Sequence, residues 1–158
     1  MIEEAINFTV VIESIDLTDK LAAKIGQQLR GNEVIELVGD LGSGKTTFTK
    51  ALVKGAGSSD HVSSPSFSLR NDYQAKSFNI AHFDFYRLND PGIVKDMLAE
   101  AIIDQQIVVV VEWAGVIEDI LPPESIRLTL KVIDKTTRSL SVMSQKQFSY
   151  LFKALDTT

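Results

Sequence analysis

The chain contains no cysteine. That excludes disulfides, thiolate metal centres and cysteine nucleophiles, and it fits a reducing compartment. It also lacks a long apolar run. The longest, Ile107 to Val111, is far too short to span a bilayer. The opening "MIEEAINFTV" has no basic stretch leading into an apolar block, so it does not read as a signal peptide. No dense basic cluster occurs, and the formal net charge is −5. A protein that grips nucleic acid unaided normally presents a basic face, so contact with nucleic acid here calls for a partner. These absences predict a cytoplasmic protein with no membrane segment. What remains is ordinary: 158 residues, 44% hydrophobic and 23% charged, the size and balance of one domain over residues 1–158.

Periodicity outlines the elements. Phe8 to Ile12 reads as a strand rich in β-branched residues, and Thr18 as the cap of a helix from Asp19 to Arg30 that Gly31 ends. Val34 to Val38 is a short buried strand, and Lys45 to Lys54 a helix closed by Gly55 and Gly57. Phe67 to Tyr73 and Phe78 to Phe83 pair around a turn near Gln74, after a polar loop from Ser58 to Pro65. Pro91 suits a helix start, and the apolar spacing from Ile93 to Ile102 continues that helix. Ile107 to Val111 is apolar throughout, as in a central strand covered on both faces. A short helix follows Trp113 and stops at Pro122 and Pro123. Ile126 to Ile133 and Arg138 to Met143 form a hairpin, and Ser144 with Gln147 fits a capping box for a last helix. The order predicts an α/β sandwich of the P-loop NTPase kind: a mixed, mostly parallel central sheet, then a C-terminal hairpin plus helix.

The stretch "VGDLGSGKTT" carries the strongest signal. Gly39, Gly44, Lys45 and Thr46 fit G-x-x-x-x-G-K-[ST] at every fixed position, after a strand and before a helix. Glycines let backbone N–H groups converge, and a phosphate is the acceptor-rich anion such a ring suits. The helix adds its positive end. Lys45 reaches the outer phosphates, and the Thr46 hydroxyl is a hard ligand for Mg²⁺. The predicted nucleotide contacts are therefore Asp40, Leu41, Gly42, Ser43, Gly44, Lys45, Thr46 and Thr47.

Catalysis also needs carboxylates. Glu112 ends the valine strand at the sheet edge where ligands bind, so it suits orienting a metal-bound or attacking water. In "AHFDFYRL", His82, Asp84 and Tyr86 share one side of a strand. Asp84 completes a Mg²⁺ shell, directly or through water, and His82 either hydrogen-bonds Asp84 or senses the γ-phosphate. Arg87 either stabilises phosphate charge or pairs with a local acid. Trp113 is either core or a ligand contact. Ser64, Ser66 and Ser68 lie in a hydroxyl-rich loop able to order around a γ-phosphate, as switch loops do.

Taken together, "GDLGSGKTT", "SPSFSL", "HFDFYRL" and "VEW", in that order, resemble the TsaE (YjeE) family over about Ile15 to Leu140. The resemblance implies a P-loop ATPase that binds ATP and Mg²⁺ and hydrolyses ATP slowly. It implies partnership with the threonylcarbamoyl-transferase subunit (TsaD) and its companion (TsaB), tRNA being met only through that complex. The product is threonylcarbamoyladenosine beside the anticodon, and the ATPase resets the transferase between rounds. Carried across by motif, Lys45, Asp84 and Glu112 are catalytic; Thr46, Asp84 and Glu112 surround the metal; Ser66 stands where the family usually has threonine; Trp113 borders the site. Two departures stand out. The family tends to be acidic after Asp90-Pro91, where this chain has the apolar "GIVKDMLAEA", and Gly115 occupies a position where the family often has an acid. Two other readings compete: a small P-loop kinase, disfavoured by scattered arginines with no lid segment, and a nucleotide-gated binding module with incidental hydrolysis.

Overall fold

A computed structural model of the chain describes residues 4–88, 90 and 92–155. Seven strands form one sheet in the order β1-β7-β6-β2-β5-β4-β3. They are β1 (Ala5–Ile12), β2 (Val34–Val38), β3 (Arg70–Gln74), β4 (Asn79–Asp84), β5 (Ile107–Glu112), β6 (Ile126–Val132) and β7 (Arg138–Gln145). The central strands β6, β2, β5 and β4 run parallel. β1 and β7 continue the sheet antiparallel on one side and β3 on the other. This is the mixed P-loop-type sheet that the valine run and the terminal hairpin predict.

The helices α1 (Ile15–Gln28) and α2 (Lys45–Gly55) pack on one face with a C-terminal 3₁₀ helix, Lys146–Leu155. The third helix, α3 (Gly92–Ile103), packs on the other face with two 3₁₀ turns, Ala114–Val116 and Glu118–Ile120. The valines of β5 show the division. Val108 and Val110 join the core under α1 and α2, while Val109 and Val111 join Phe83, Phe85 and Leu98 on the opposite side. Among the described residues no helix is long and apolar enough to cross a membrane.

Several local expectations change. Ser14, not Thr18, caps α1: its side chain accepts from the Leu17 N–H at 3.1 Å. Thr18 lies inside the first turn, its hydroxyl donating to the Ser14 carbonyl at 3.1 Å. The helix therefore starts earlier, and it ends at Gln28, before Gly31. The capping box at Ser144 does not form. Ser144 belongs to β7, and its hydroxyl donates to the Gln145 carbonyl at 2.9 Å, so the last helix starts from a strand end and winds as 3₁₀. Leu151, Phe152 and Leu155 of this helix are buried. Pro91, the expected start of α3, lies outside the described residues.

Two glycines set the spacing of α1 and α2. An added Cβ at Gly26 would run into the Leu52 carbonyl oxygen, and one at Gly55 into that of Ala23. The helices touch backbone to backbone there.

Candidate nucleotide-binding site

The loop between β2 and α2 is shaped by left-handed glycines, Gly42 at φ 81° and Gly44 at φ 104°. A Cβ on either would meet nothing within 4 Å, because both face an open cavity of about 280 Å³. Gly44 is the N-cap of α2 and offers no side chain there. The orphan N–H groups of the first turn are thus left for a ligand to fill.

The same cavity is lined by Leu41, Lys45, Thr46, Thr47, Ser64, Ser66, Asp84, Glu112 and Trp113, all predicted site residues, and by Tyr86. Register explains the acids. Asp84 and Glu112 are directly paired at the ends of parallel neighbours β4 and β5, so both carboxylates reach the sheet edge beside α2. Both are buried. The two carboxylates differ in how they are held. Asp84 Oδ2 accepts from Ser66 Oγ at 2.8 Å and Ser64 Oγ at 3.3 Å, and Oδ1 accepts from the Tyr86 N–H at 3.0 Å. Glu112 Oε1 accepts no hydrogen bond and lies 3.4 Å from His82 Nε2. His82 thus turns to Glu112 and not to Asp84, the partner its place on the strand suggests.

Lys45 is buried and folded against its own loop. Its ammonium donates to the carbonyls of Gly39 at 2.6 Å and Asp40 at 3.0 Å, and sits 4.4 Å from the centre of the Trp113 ring. Burial pushes its pKa below the ordinary lysine range, while Glu112, Asp84 and Asp40 oppose that shift. Trp113 is neither wholly core nor free. It is half-buried, holds a left-handed backbone at φ 58°, and packs on Tyr86 with ring centres 4.9 Å apart. Both rings line the cavity.

Two of the expected contacts stand apart. Asp40 lines a neighbouring cavity, and Ser43 is buried beneath the loop, its carbonyl accepting from Arg138 Nε at 3.3 Å. Tyr86 and Arg138 are the neighbours that sequence spacing did not single out as site residues. Tyr86 follows from the alternation His82, Asp84, Tyr86, but the Arg138 contact spans 95 residues of sequence and has no local signal. Arg87 stacks over Phe67, 4.4 Å from its ring centre. Ser68 turns to Asn71 at 3.2 Å, so it stands outside the cavity.

The donor set suits a nucleotide phosphate with Mg²⁺. Thr46, Asp84 and Glu112 offer hard oxygens on one cavity wall. Among the described residues no group of three His, Cys, Asp or Glu is arranged to hold a metal ion alone. A bound Mg²⁺ would therefore rest on one or two carboxylates, a hydroxyl and phosphate oxygens, the usual division for this ion.

Residues 12–140 match the family model "Threonylcarbamoyl adenosine biosynthesis protein TsaE". A protein of Aquifex aeolicus named tRNA threonylcarbamoyladenosine biosynthesis protein TsaE is 37% identical over 135 residues, covering 84% of this chain and 93% of that protein. One of the same name from Rickettsia felis is 31% identical over 150 residues, covering 94% and 87%. Among solved structures, YdiB of Bacillus subtilis superposes with a TM-score of 0.73 at 27% identity, covering 99% of this chain and 97% of that one. The chain belongs to the TsaE family of threonylcarbamoyl adenosine biosynthesis proteins.

Proposed function

We propose that the chain binds Mg·ATP in this cavity and hydrolyses it slowly in support of tRNA threonylcarbamoyladenosine formation. One observation carries the reading: Lys45 and Thr46 of the glycine loop share one cavity with the paired acids Asp84 and Glu112. A phosphate anchor, a cation and two carboxylates are the parts phosphoryl transfer to water needs.

Each side chain has a part. Lys45 exchanges the Gly39 and Asp40 carbonyls for phosphate oxygens, which are the stronger acceptors because they are charged. Mg²⁺, when bound, supplies charge neutralisation between phosphate oxygens. Thr46 and Asp84 would hold it. Glu112 orients the attacking water and accepts a hydrogen bond from it. Trp113 and Tyr86, packed on each other, supply an aromatic wall against which the nucleotide lies. Ser64 and Ser66, tied to Asp84, link the loop that carries them to whatever Asp84 binds. That link is how the nucleotide state is read outside the cavity, and it also supports a gating role in which docking matters more than turnover.

The partners in this reading are the transferase subunit TsaD and its companion TsaB, with tRNA reached through them, and the hydrolysis resets the transferase. A kinase fits less well. None of Arg30, Arg70, Arg87, Arg127 and Arg138 lines the cavity, so no arginine is placed to neutralise a transferred phosphate. The test is phosphate release by the chain alone, with small acceptors, and with the two partner subunits. Stimulation by the subunits together is the expected result. Transfer to a small acceptor, or no release under any condition, would overturn the proposal.

A further inference from the structure

The phosphate chemistry uses Glu112 but gives no reason for the histidine beside it. His82 is completely buried on β4, in register with Val110, one pleat below the Asp84–Glu112 pair. Its neighbours along that face, Ile80, Val108 and Val110, are all core aliphatics. An aliphatic side chain would fill the space at no polar cost. The imidazole instead brings two buried nitrogens that make no hydrogen bond, with Nε2 aimed 3.4 Å from the equally unpartnered Oε1 of Glu112. A buried polar group left in this state costs stability, so its retention asks for a role. The ring is also held in place. Tyr73 lies against it with ring centres 6.2 Å apart, and the Tyr73 hydroxyl is fixed by donating to the Ser63 carbonyl at 3.1 Å.

We propose that His82 is a positioning residue for Glu112: its Nε2–H anchors Oε1, turning the carboxylate so that its other oxygen addresses the phosphate cavity. A carboxylate at a strand end otherwise rotates freely about its last bond, and an attacking water needs one acceptor direction. The contact tightens to a full hydrogen bond once substrate fills the cavity, since catalytic hydrogen bonds are often long in ligand-free proteins. This role rests on the reading of the cavity as an ATP-hydrolysing site.

The test uses the full chain, with the partner subunits present in turnover assays. His82→Leu removes the donor and keeps the bulk, whereas His82→Gln keeps an N–H at similar reach. With His82→Leu, metal-free ADP affinity by calorimetry stays within about twofold, while kcat falls about tenfold or more with KM little changed. His82→Gln recovers most of the loss. In a Glu112→Gln background the same leucine change alters kcat by less than about twofold. Denaturant unfolding of the four nucleotide-free proteins is non-additive, a readout independent of turnover. The role is overturned if His82→Leu keeps full kcat, if it is as harmful without the Glu112 carboxylate as with it, or if glutamine is no better than leucine. Should His82→Leu not fold, His82→Asn replaces it: its donor stops short of Oε1, so asparagine slow and glutamine active supports the role, and the reverse removes it. A wild-type chain that neither binds ADP nor releases phosphate removes the ATPase reading itself. Hydrolysis intact but indifferent to His82 removes only the positioning role.

Discussion

Ser66 and Asp84 are 18 residues apart in sequence, yet the Ser66 hydroxyl donates to Asp84 Oδ2 at 2.8 Å. That bond fastens the loop before β3 to an acid of the cavity. Removing it in Ser66→Ala leaves Ser64 alone on Oδ2, at 3.3 Å. The expected cost is about 1 kcal/mol, the usual worth of one partly exposed hydrogen bond. Limited proteolysis should show faster cutting between residues 62 and 69, and Ser66→Thr should restore protection. Equal cutting of all three proteins would show that the loop is held by something else.

Lys45→Ala should separate binding from stability. The ammonium is desolvated, and its lowered pKa reports that burial disfavours its charge. Losing it removes that cost along with the bonds to Gly39 and Asp40, so unfolding free energy should change by no more than about 1 kcal/mol. ATP affinity should nevertheless drop at least about tenfold, because a charge-assisted phosphate contact is gone. Calorimetry beside denaturant titration checks both halves.

The α1–α2 contact gives a purely structural prediction. Gly26→Ala forces a Cβ against the Leu52 carbonyl, a backbone atom that cannot swing aside. Overpacking of this kind costs about 1–3 kcal/mol. Because α2 carries Lys45 and Thr46, the shifted helix should also weaken nucleotide binding, which a swap on the exposed side of α1, such as Lys24→Ala, should not do. Thermal unfolding with and without ADP distinguishes the two.

Tyr150 predicts an alkaline effect. Its hydroxyl donates to Glu33 Oε1 at 2.7 Å, and Glu33 also accepts from the N–H groups of Arg30, Gly31 and Asn32. Burial first, then Glu33, raise the tyrosine pKa above its ordinary 10.0. The folded value exceeds the unfolded one, so this stabilisation is whole below about pH 10 and is lost as pH rises beyond it. Tyr150→Phe should lower stability by about 1–2 kcal/mol at neutral pH. It should also flatten the decline in stability above pH 10, as followed by urea unfolding across pH.

What could be read from the chain alone was whatever is written in local spacing. The glycine loop and the alternation from His82 to Tyr86 are short-range patterns, and the valine run of β5 names its own burial. The hairpin β6–β7 was legible for the same reason. What escaped depends on partners distant in sequence. Gly55 looked like a helix stop, but its use is the close approach of Ala23. Glu33, which no local pattern marks, is fully buried and organises a loop through the N–H groups of Arg30, Gly31 and Asn32. Ser14 and Thr18 are both capping residue types, and only the path of β1 into α1 selects the earlier one. His82 had its face correct and its partner wrong, because the diagonal contact to Glu112 depends on the β4–β5 register.

The pairing of β1 with β7 joins Ile12 to Arg138 and Ala5 to Gln145. Among the described residues, β1 thus pairs only with a strand that lies far later in the sequence. The middle strand β2 likewise borders β5 and β6, both synthesised later. Such long-range closure is slow to form and leaves early edges bare. Until β5 and β6 have been made, β2 has neither of these sheet neighbours, so the glycine loop that follows it has no completed sheet behind it. A chain halted before β5 would leave both edges of β2 open to unwanted pairing.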